Sequence, residues 1–201
     1  MTIPDPQSSA AALGVLDASR YRPVVSGSSF TFSHRLFRGF WYLTWLFLAA
    51  WTPPPMHSWR RFLLRLFGAK MGKNSGVYAS TRVWDPRNLE MGDYAFIGPR
   101  VICYSMAKIR MGAYSLASQG AHLCAGTHDI SDPHFQLQVR PIVIGERAWI
   151  AADAFVGPGV LVGEGAVLGA RGVAFSDLPP WTVSVGNPSR VIKKRALRAE
   201  T

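Results

Sequence analysis

From Ile144 onward the chain reads as five consecutive six-residue units, IGERAW, IAADAF, VGPGVL, VGEGAV and LGARGV. Their first position is always aliphatic (Ile144, Ile150, Val156, Val162, Leu168), their second is Gly or Ala, and their fifth is small or β-branched. An α-helix repeats its apolar residues every three or four positions and a half-buried strand every two, so neither accounts for a period of six. A coil of three short flat sides does. One hexad forms each side, the aliphatic residue points inward, and a small residue lets the chain bend at the corner. Turns stacked about 4.8 Å apart then pair through their backbones, and each buries its apolar face only against its neighbours. The same frame returns upstream as MGAYSL, ASQGAH and LCAGTH over 111–128, and more loosely as MGDYAF, IGPRVI and CYSMAK over 91–108. Two residues, Ile109 and Arg110, lie between these blocks, and the register is expected to slip there. The fold class is therefore mainly β, a parallel β-helix of six-residue repeats over residues 70–189.

A different pattern precedes the repeats. Residues 40–51 (FWYLTWLFLAAW) are apolar but for Thr44, with Arg35 and Arg38 before them and Pro53, Pro54 and Pro55 after. A spanning helix needs about 20 apolar residues, so this run is too short to cross a bilayer. The proline triplet ends the helix, and residues 59–67 (WRRFLLRLF) supply a second short one with Arg on one side. Region 30–69 is accordingly helical, and residues 1–29 are expected to be a flexible N-terminal segment. The helices read equally well as an interfacial membrane anchor over 30–67, with aromatic and cationic flanks, or as a cap packed on the β-helix.

With 201 residues and a hydrophobic share of 48%, the chain is large and apolar enough for one packed domain and unlike a disordered one. A formal charge of +10 would attract phosphates, anionic lipids or nucleic acid. The basic residues gather at two ends: Arg35, Arg38, Arg60, Arg61 and Arg65 at one, and Arg190, Lys193, Lys194, Arg195 and Arg198, in a basic tail over 190–201, at the other. Between them there is no basic stripe interleaved with aromatics, which argues against nucleic acid. Two cysteines, Cys103 and Cys124, without metal-ligand spacing fit a reducing compartment. Residues 1–20 lack the basic-then-apolar order of a secretory leader. We expect a cytoplasmic protein, associated with the inner face of the membrane if the helices are an anchor.

The hexads account for scaffold, so chemistry is expected where they stop. The largest interruption is the loop over 128–141 (HDISDPHFQLQVRP), which is polar, contains proline and cannot lie flat on a coil. Such excursions from rigid solenoids commonly carry the site. His128 stands at its base. An imidazole can take a proton from an alcohol and return it to a leaving thiolate, which makes His128 the candidate general base.

Thr127-His128 with its loop, followed by PIVIGERAWIAADAFVGPGVLVGEGAVLGARGV and DLPPWTVSVGNPSRVIKK, resembles the maltose and galactoside O-acetyltransferases of the hexapeptide-repeat family. FIGPRVICYS, SQGAHLCAGTHDISDPHF and RPIVIGERAWIAADAFVGPGV are more similar still to the branch of colanic acid and exopolysaccharide biosynthesis acetyltransferases, over roughly residues 70–195. The resemblance implies a left-handed coil, a homotrimer with active sites between neighbouring prisms, acetyl-coenzyme A as the acyl donor, and a hydroxyl of a sugar or polysaccharide as the acceptor. It also implies that His128 is the catalytic base, that Trp149 walls the site, and that Ala152 and Ala170 contact the pantetheine arm through their backbones. Arg190 and Lys193 would approach the coenzyme's phosphates. Tyr104 and Ser105 take the acceptor-binding place, where that branch has Tyr-Asn, and Met106 stands where galactoside-acetylating relatives carry an acidic residue.

Two other function classes compete. A zinc-dependent hydratase resembling γ-class carbonic anhydrase uses the same fold, and His122, His128 and His134 recur six residues apart. Residues six apart lie on adjacent sides, however, whereas ligands from one chain would stack near eighteen, so no metal is expected. The second competitor is a non-enzymatic β-helix docked on a membrane by its helices. A covalent route is not expected, because Cys124 fills a small position and Cys103 an inward one, where thiols are usually inert.

Overall fold

The computed structural model describes residues 30–197: two helices followed by a parallel β-solenoid. The expected flexible segment over 1–29, and Arg198 at the end of the basic tail, lie outside the described residues.

Three parallel sheets wall the solenoid. The first side stacks Lys70–Met71, Leu89–Met91, Ile109–Met111, Ile142–Ile144 and Leu161–Val162. The second stacks Gly76–Val77, Phe96–Ile97, Leu116–Ala117, Trp149–Ile150, Val167–Leu168 and Thr182–Val185, and the third stacks Arg82–Val83, Ile102–Tyr104, His122–Cys124, Phe155–Val156 and Val173–Ala174. Ile144, Ile150, Val156, Val162 and Leu168 all point inward, none more than 1% exposed, joined by the fifth-position Ala148, Ala154, Val160 and Ala166. The small second position has a physical cause in the stacking: a Cβ on Gly145 would lie 2.6 Å from the backbone nitrogen of Glu164 in the next turn. Only a glycine lets the turns approach this closely there.

Turn length varies at one corner only. Steps from the first side to the second and from the second to the third are six residues in every turn. Stacked partners on the first side are twenty residues apart from Met91 to Met111, thirty-three from Met111 to Ile144, and eighteen from Ile144 to Val162. All of that variation falls where the third side returns to the first. Ile109 is consequently no extra residue: it is fully buried and pairs with Leu89 and Ile142. The slip expected at Ile109 and Arg110 lies a few residues earlier, because CYSMAK imitates a hexad while Met106 and Ala107 are already buried in a widened corner.

Backbone groups in that corner leave the ladder and need other partners. Side chains supply them. The Ser105 hydroxyl accepts from the Asp85 N–H at 3.0 Å and donates to the Asp85 carbonyl at 2.9 Å. The Asn88 amide donates to the carbonyls of Ser105 and Met106 at 3.0 and 3.1 Å.

Helix α1 (Phe32–Leu48) starts at Thr31, whose hydroxyl accepts from the His34 N–H, and helix α2 (His57–Leu66) follows the proline triplet. Both helices pack on the solenoid through one face. As a cap, α1 inserts Trp41, whose indole donates to the Val83 carbonyl at 2.7 Å, while Trp45 donates to Ala79 at 3.0 Å. From α2, Leu63, Leu64 and Arg60 are buried. The opposite faces stay open, with Phe32, Leu36, Phe40, Leu43 and Phe47 exposed along α1 and Trp59, Phe62 and Leu66 along α2. No helix among the described residues is long and apolar enough to cross a membrane.

Much of the N-terminal basic cluster is structural. Arg60 donates to the carbonyls of Val77, Pro53 and Pro54 and to the Thr52 hydroxyl, Arg61 to Ser75 and Arg65 to Met71. At the other end, Arg190–Lys194 is a strand antiparallel to Thr182–Val185 rather than a loose tail. It covers an edge that would otherwise be open, and its arginine and lysines discourage further pairing.

Candidate active site

The excursion is a two-stranded arm. Gly126–His128 pairs antiparallel with Leu137–Val139, and the Arg140 N–H closes the root on the Ala125 carbonyl at 3.0 Å. The arm thus leaves the wall at Gly126, and His128 stands on its first strand, two residues up, rather than at its base. Glycine at the root leaves room for Met106 and Tyr104: a Cβ there would sit 2.6 Å from the Met106 sulfur, which would have to shift, and 3.5 Å from the Tyr104 ring.

His128 is exposed, and its Nδ1 lies 2.7 Å from the Phe135 carbonyl across the arm. A carbonyl oxygen only accepts, so Nδ1 carries the proton and Nε2 the lone pair. That tautomer leaves the outer nitrogen free to remove a proton. Phe135, with φ of 52°, is held in the left-handed region that turns its carbonyl toward the ring.

The other residues singled out in the sequence form two groups. Trp149 lies on the second side, 43% exposed, with its indole donating to the Ser118 hydroxyl at 2.8 Å. One ladder runs from Trp149 through Val167 and Val183 to Lys193, and Arg190 pairs with Val185 in the same strand pair. Arg190 and Lys193 are exposed and make no ion pair among the described residues. Ala152 and Ala170 occupy successive turns of the corner between the second and third sides, where the Arg171 N–H donates to the Ala152 carbonyl at 2.9 Å. His128 and Tyr104 belong instead to the corner where the third side returns to the first. A whole wall separates the two groups within one chain.

Tyr104 and Ser105 part company. Tyr104 is half-buried, edge-on to Trp84 at 5.7 Å, and its backbone carbonyl accepts from the Ala125 N–H at 3.2 Å. Burial pushes its phenol up, so it is a neutral donor. Ser105 is fully buried with its hydroxyl engaged by Asp85, which makes it a brace of the corner rather than a contact for a ligand.

Several neighbours carried no signal in the sequence. The Asp85 carboxylate, 2% exposed, is held by Arg87 at 2.6 Å and by His34 at 3.1 Å. The Arg38 guanidinium lies over the Trp84 ring at 3.9 Å. Only the stretch Asp85-Pro86-Arg87, an Asp capping a turn that starts with proline, marked this corner as ordered.

The thiols are placed as packing residues. Burial pushes Cys103 up to about 12, and Cys124 is half-buried with its thiol donating to the Gly126 carbonyl at 3.2 Å. His122 packs edge-on against Phe155 at 5.2 Å, and burial lowers its pKa. No group of three or more His, Cys, Asp or Glu side chains suited to a metal ion occurs among the described residues.

No protein-family model matches the chain. It is 46% identical over 155 residues to the Escherichia coli K12 protein assigned as the colanic acid biosynthesis acetyltransferase WcaF, an alignment covering 77% of this chain and 85% of that one. Among solved structures, a maltose O-acetyltransferase from Clostridium difficile 630 superposes with a TM-score of 0.76 and 27% identity, over 83% of this chain and 90% of the other. A hexapeptide-repeat acetyltransferase from Vibrio cholerae, solved with acetyl-coenzyme A, shares the fold at a TM-score of 0.72 and 23% identity, over 82% of this chain and 88% of that one.

Proposed function

The chain belongs to the hexapeptide-repeat O-acetyltransferase family, in its colanic acid biosynthesis branch, and we propose that it moves an acetyl group from acetyl-coenzyme A to a sugar hydroxyl in the building of an exopolysaccharide or lipid-linked glycan. The observation that carries this reading is the hydrogen bond from His128 Nδ1 to Phe135, which leaves Nε2 as a free base on a projecting arm. Nε2 accepts the proton of the acceptor hydroxyl as its oxygen attacks the thioester carbonyl carbon. The resulting oxyanion is stabilised by a backbone N–H of a coil corner. As the intermediate collapses, the C–S bond breaks and the coenzyme thiolate takes the proton from Nε2. Acid–base help of this kind contributes roughly 10²–10⁴ in rate, and orientation and the oxyanion donor supply much of the rest.

The donor lies, on this reading, along the second side. Trp149 walls it, Ala152 and Ala170 offer backbone to the pantetheine arm, and Arg190 and Lys193, free of acidic partners among the described residues, meet its phosphates. The wall between this group and His128 supports a homotrimer, in which the arm of one copy faces the second side of the next. Sedimentation giving a monomer would remove that arrangement.

The open apolar faces of α1 and α2 beside Arg35, together with the charge of +10, support peripheral contact of residues 30–67 with the inner, anionic leaflet of a membrane, from the cytoplasm. Flotation with anionic vesicles tests it, and equal recovery with a Phe40→Asp, Phe47→Asp variant would remove it.

Thiol release from acetyl-coenzyme A, measured with a panel of polysaccharide repeat units, tests the transfer itself. Release that depends on the acceptor is expected; release at the same rate with no acceptor would end the reading.

A further inference from the structure

Beside Trp84 stands a cation, Arg38, that makes no salt bridge among the described residues and feels Asp85 only through space. The Asp85 carboxylate next to it is engaged directly by both His34 and Arg87. The other acid nearby in the turn, Glu90, is taken by Lys70, Lys108 and Arg110. Arg38 is left over. Its guanidinium lies over the Trp84 ring at 3.9 Å, its Nε is buried without an acceptor, and its remaining nitrogens make no hydrogen bond or ion pair among the described residues. A guanidinium held in one place by stacking, with its donors unassigned, is prepared for a bidentate oxyanion.

Its surroundings say what such an anion would belong to. Trp84, which positions Arg38, also meets Tyr104 edge-on. The Tyr104 ring lies against the root of the arm at Gly126, two residues before His128, so cation, aromatic wall and base share one corner. His34, whose ring lies 5.2 Å from that of Trp84, has a buried Nδ1 without a partner among the described residues. With its Nε2 proton directed to Asp85, that Nδ1 is an acceptor awaiting a hydroxyl. An orphan donor that favours an anion and an orphan acceptor that favours an O–H describe an acidic sugar better than a neutral one.

We propose that Arg38 determines acceptor specificity, selecting a sugar that carries an anionic group, a carboxylate or a phosphate ester, with Tyr104 walling the ring beside the His128 arm. The proposal rests on the acetyl-transfer reading for what happens to that sugar, but the binding itself can be measured separately. Arg38 is a binding residue for the anion, and Trp84 is a positioning residue that acts through it.

The test is equilibrium binding of glucuronate, glucose 6-phosphate and glucose to the full-length protein in the presence of coenzyme A. At least one of the two acids is expected to bind about tenfold or more tightly than glucose, as a charge-assisted bidentate contact requires. Which acid it is distinguishes carboxylate from phosphate. Arg38→Gln should abolish the preference and Arg38→Lys should keep part of it, while Arg35→Gln, an exposed change one turn away on α1, should leave it intact. Should the Gln variant melt early, Arg38→Met, which retains the stem over Trp84, serves for the same measurement. Equal binding of all three sugars by the wild type, or a preference that survives in Arg38→Gln, would overturn the proposal. An Arg38-dependent preference without acceptor-dependent thiol release would keep this subsite and remove acetyl transfer; the converse would keep transfer and remove the subsite.

Discussion

Two corners of the same prism behave in opposite ways. Between the first and second sides every turn bends identically, at Asn74, Tyr94, Tyr114, Arg147, Gly165 and Trp181, all with positive φ. Each bend after the first hands its N–H to the turn before it, as Tyr94 does to Lys73, Tyr114 to Asp93 and Arg147 to Ala113. The ladder therefore satisfies this corner whatever the side chains are, and even the bulky Tyr94 and Tyr114 simply stack, at 5.0 Å. Where the third side returns to the first, length varies from turn to turn, and side chains such as Ser105 and Asn88 close the hydrogen bonding. That second corner carries the arm, His128, Tyr104 and the Arg38 contact. Keeping one corner constant maintains the register of the coil, and this frees another to differ in each turn and so to hold chemistry.

The comparison breaks most visibly if the wall and the corner respond alike to substitution. Ile150→Ala, in the wall, should cost about 2–5 kcal/mol in denaturant unfolding while activity per folded molecule is unchanged. Asn88→Ala should cost less, about 1–3 kcal/mol, because it orphans the carbonyls of Ser105 and Met106. Unlike the wall variant it should also lower kcat, since Met106 lies directly beneath the arm's root. A drop in stability with unaltered kcat would mean that this corner is scaffold too. The smallest effect concerns acid. Burial alone would raise the Glu90 carboxyl, but bonds from Lys108, Arg110 and Lys70 outweigh it and hold the group at about 2 against an ordinary 4.5. Because its folded value is depressed, Glu90 stabilises the fold fully above pH 4.5, and this contribution fades as the pH falls through about 2. Stability measured across that window should flatten in Glu90→Gln, and identical curves would remove the contribution.

The regular parts were legible because their cause is local. An inward aliphatic every six residues and a glycine where Gly145 meets Glu164 are demands that each turn makes on its own sequence. The widened corner was legible as a slip but misplaced, since Ala107 satisfies the fifth position of a false hexad. His128 was legible as a break in the pattern, whereas its tautomer was not, because Phe135 reaches it only after the arm folds back. In α1 both faces carry apolar residues, so nothing in the sequence distinguished the buried Trp41 from the exposed Phe40. Ser105 was assigned by position alone, and only three-dimensional packing reveals that Asp85 occupies its hydroxyl. Arg38 was legible only as one of the basic residues flanking the apolar run, for the same reason: its partner Trp84 is distant in sequence, and α1 must dock before they meet.

Single-turnover thiol release by His128→Ala tests the account most directly. The variant is expected to bind coenzyme A and to melt as the wild type does, yet to release thiol about 10²–10⁴ times more slowly with a competent acceptor. Equal rates from the two proteins would contradict it.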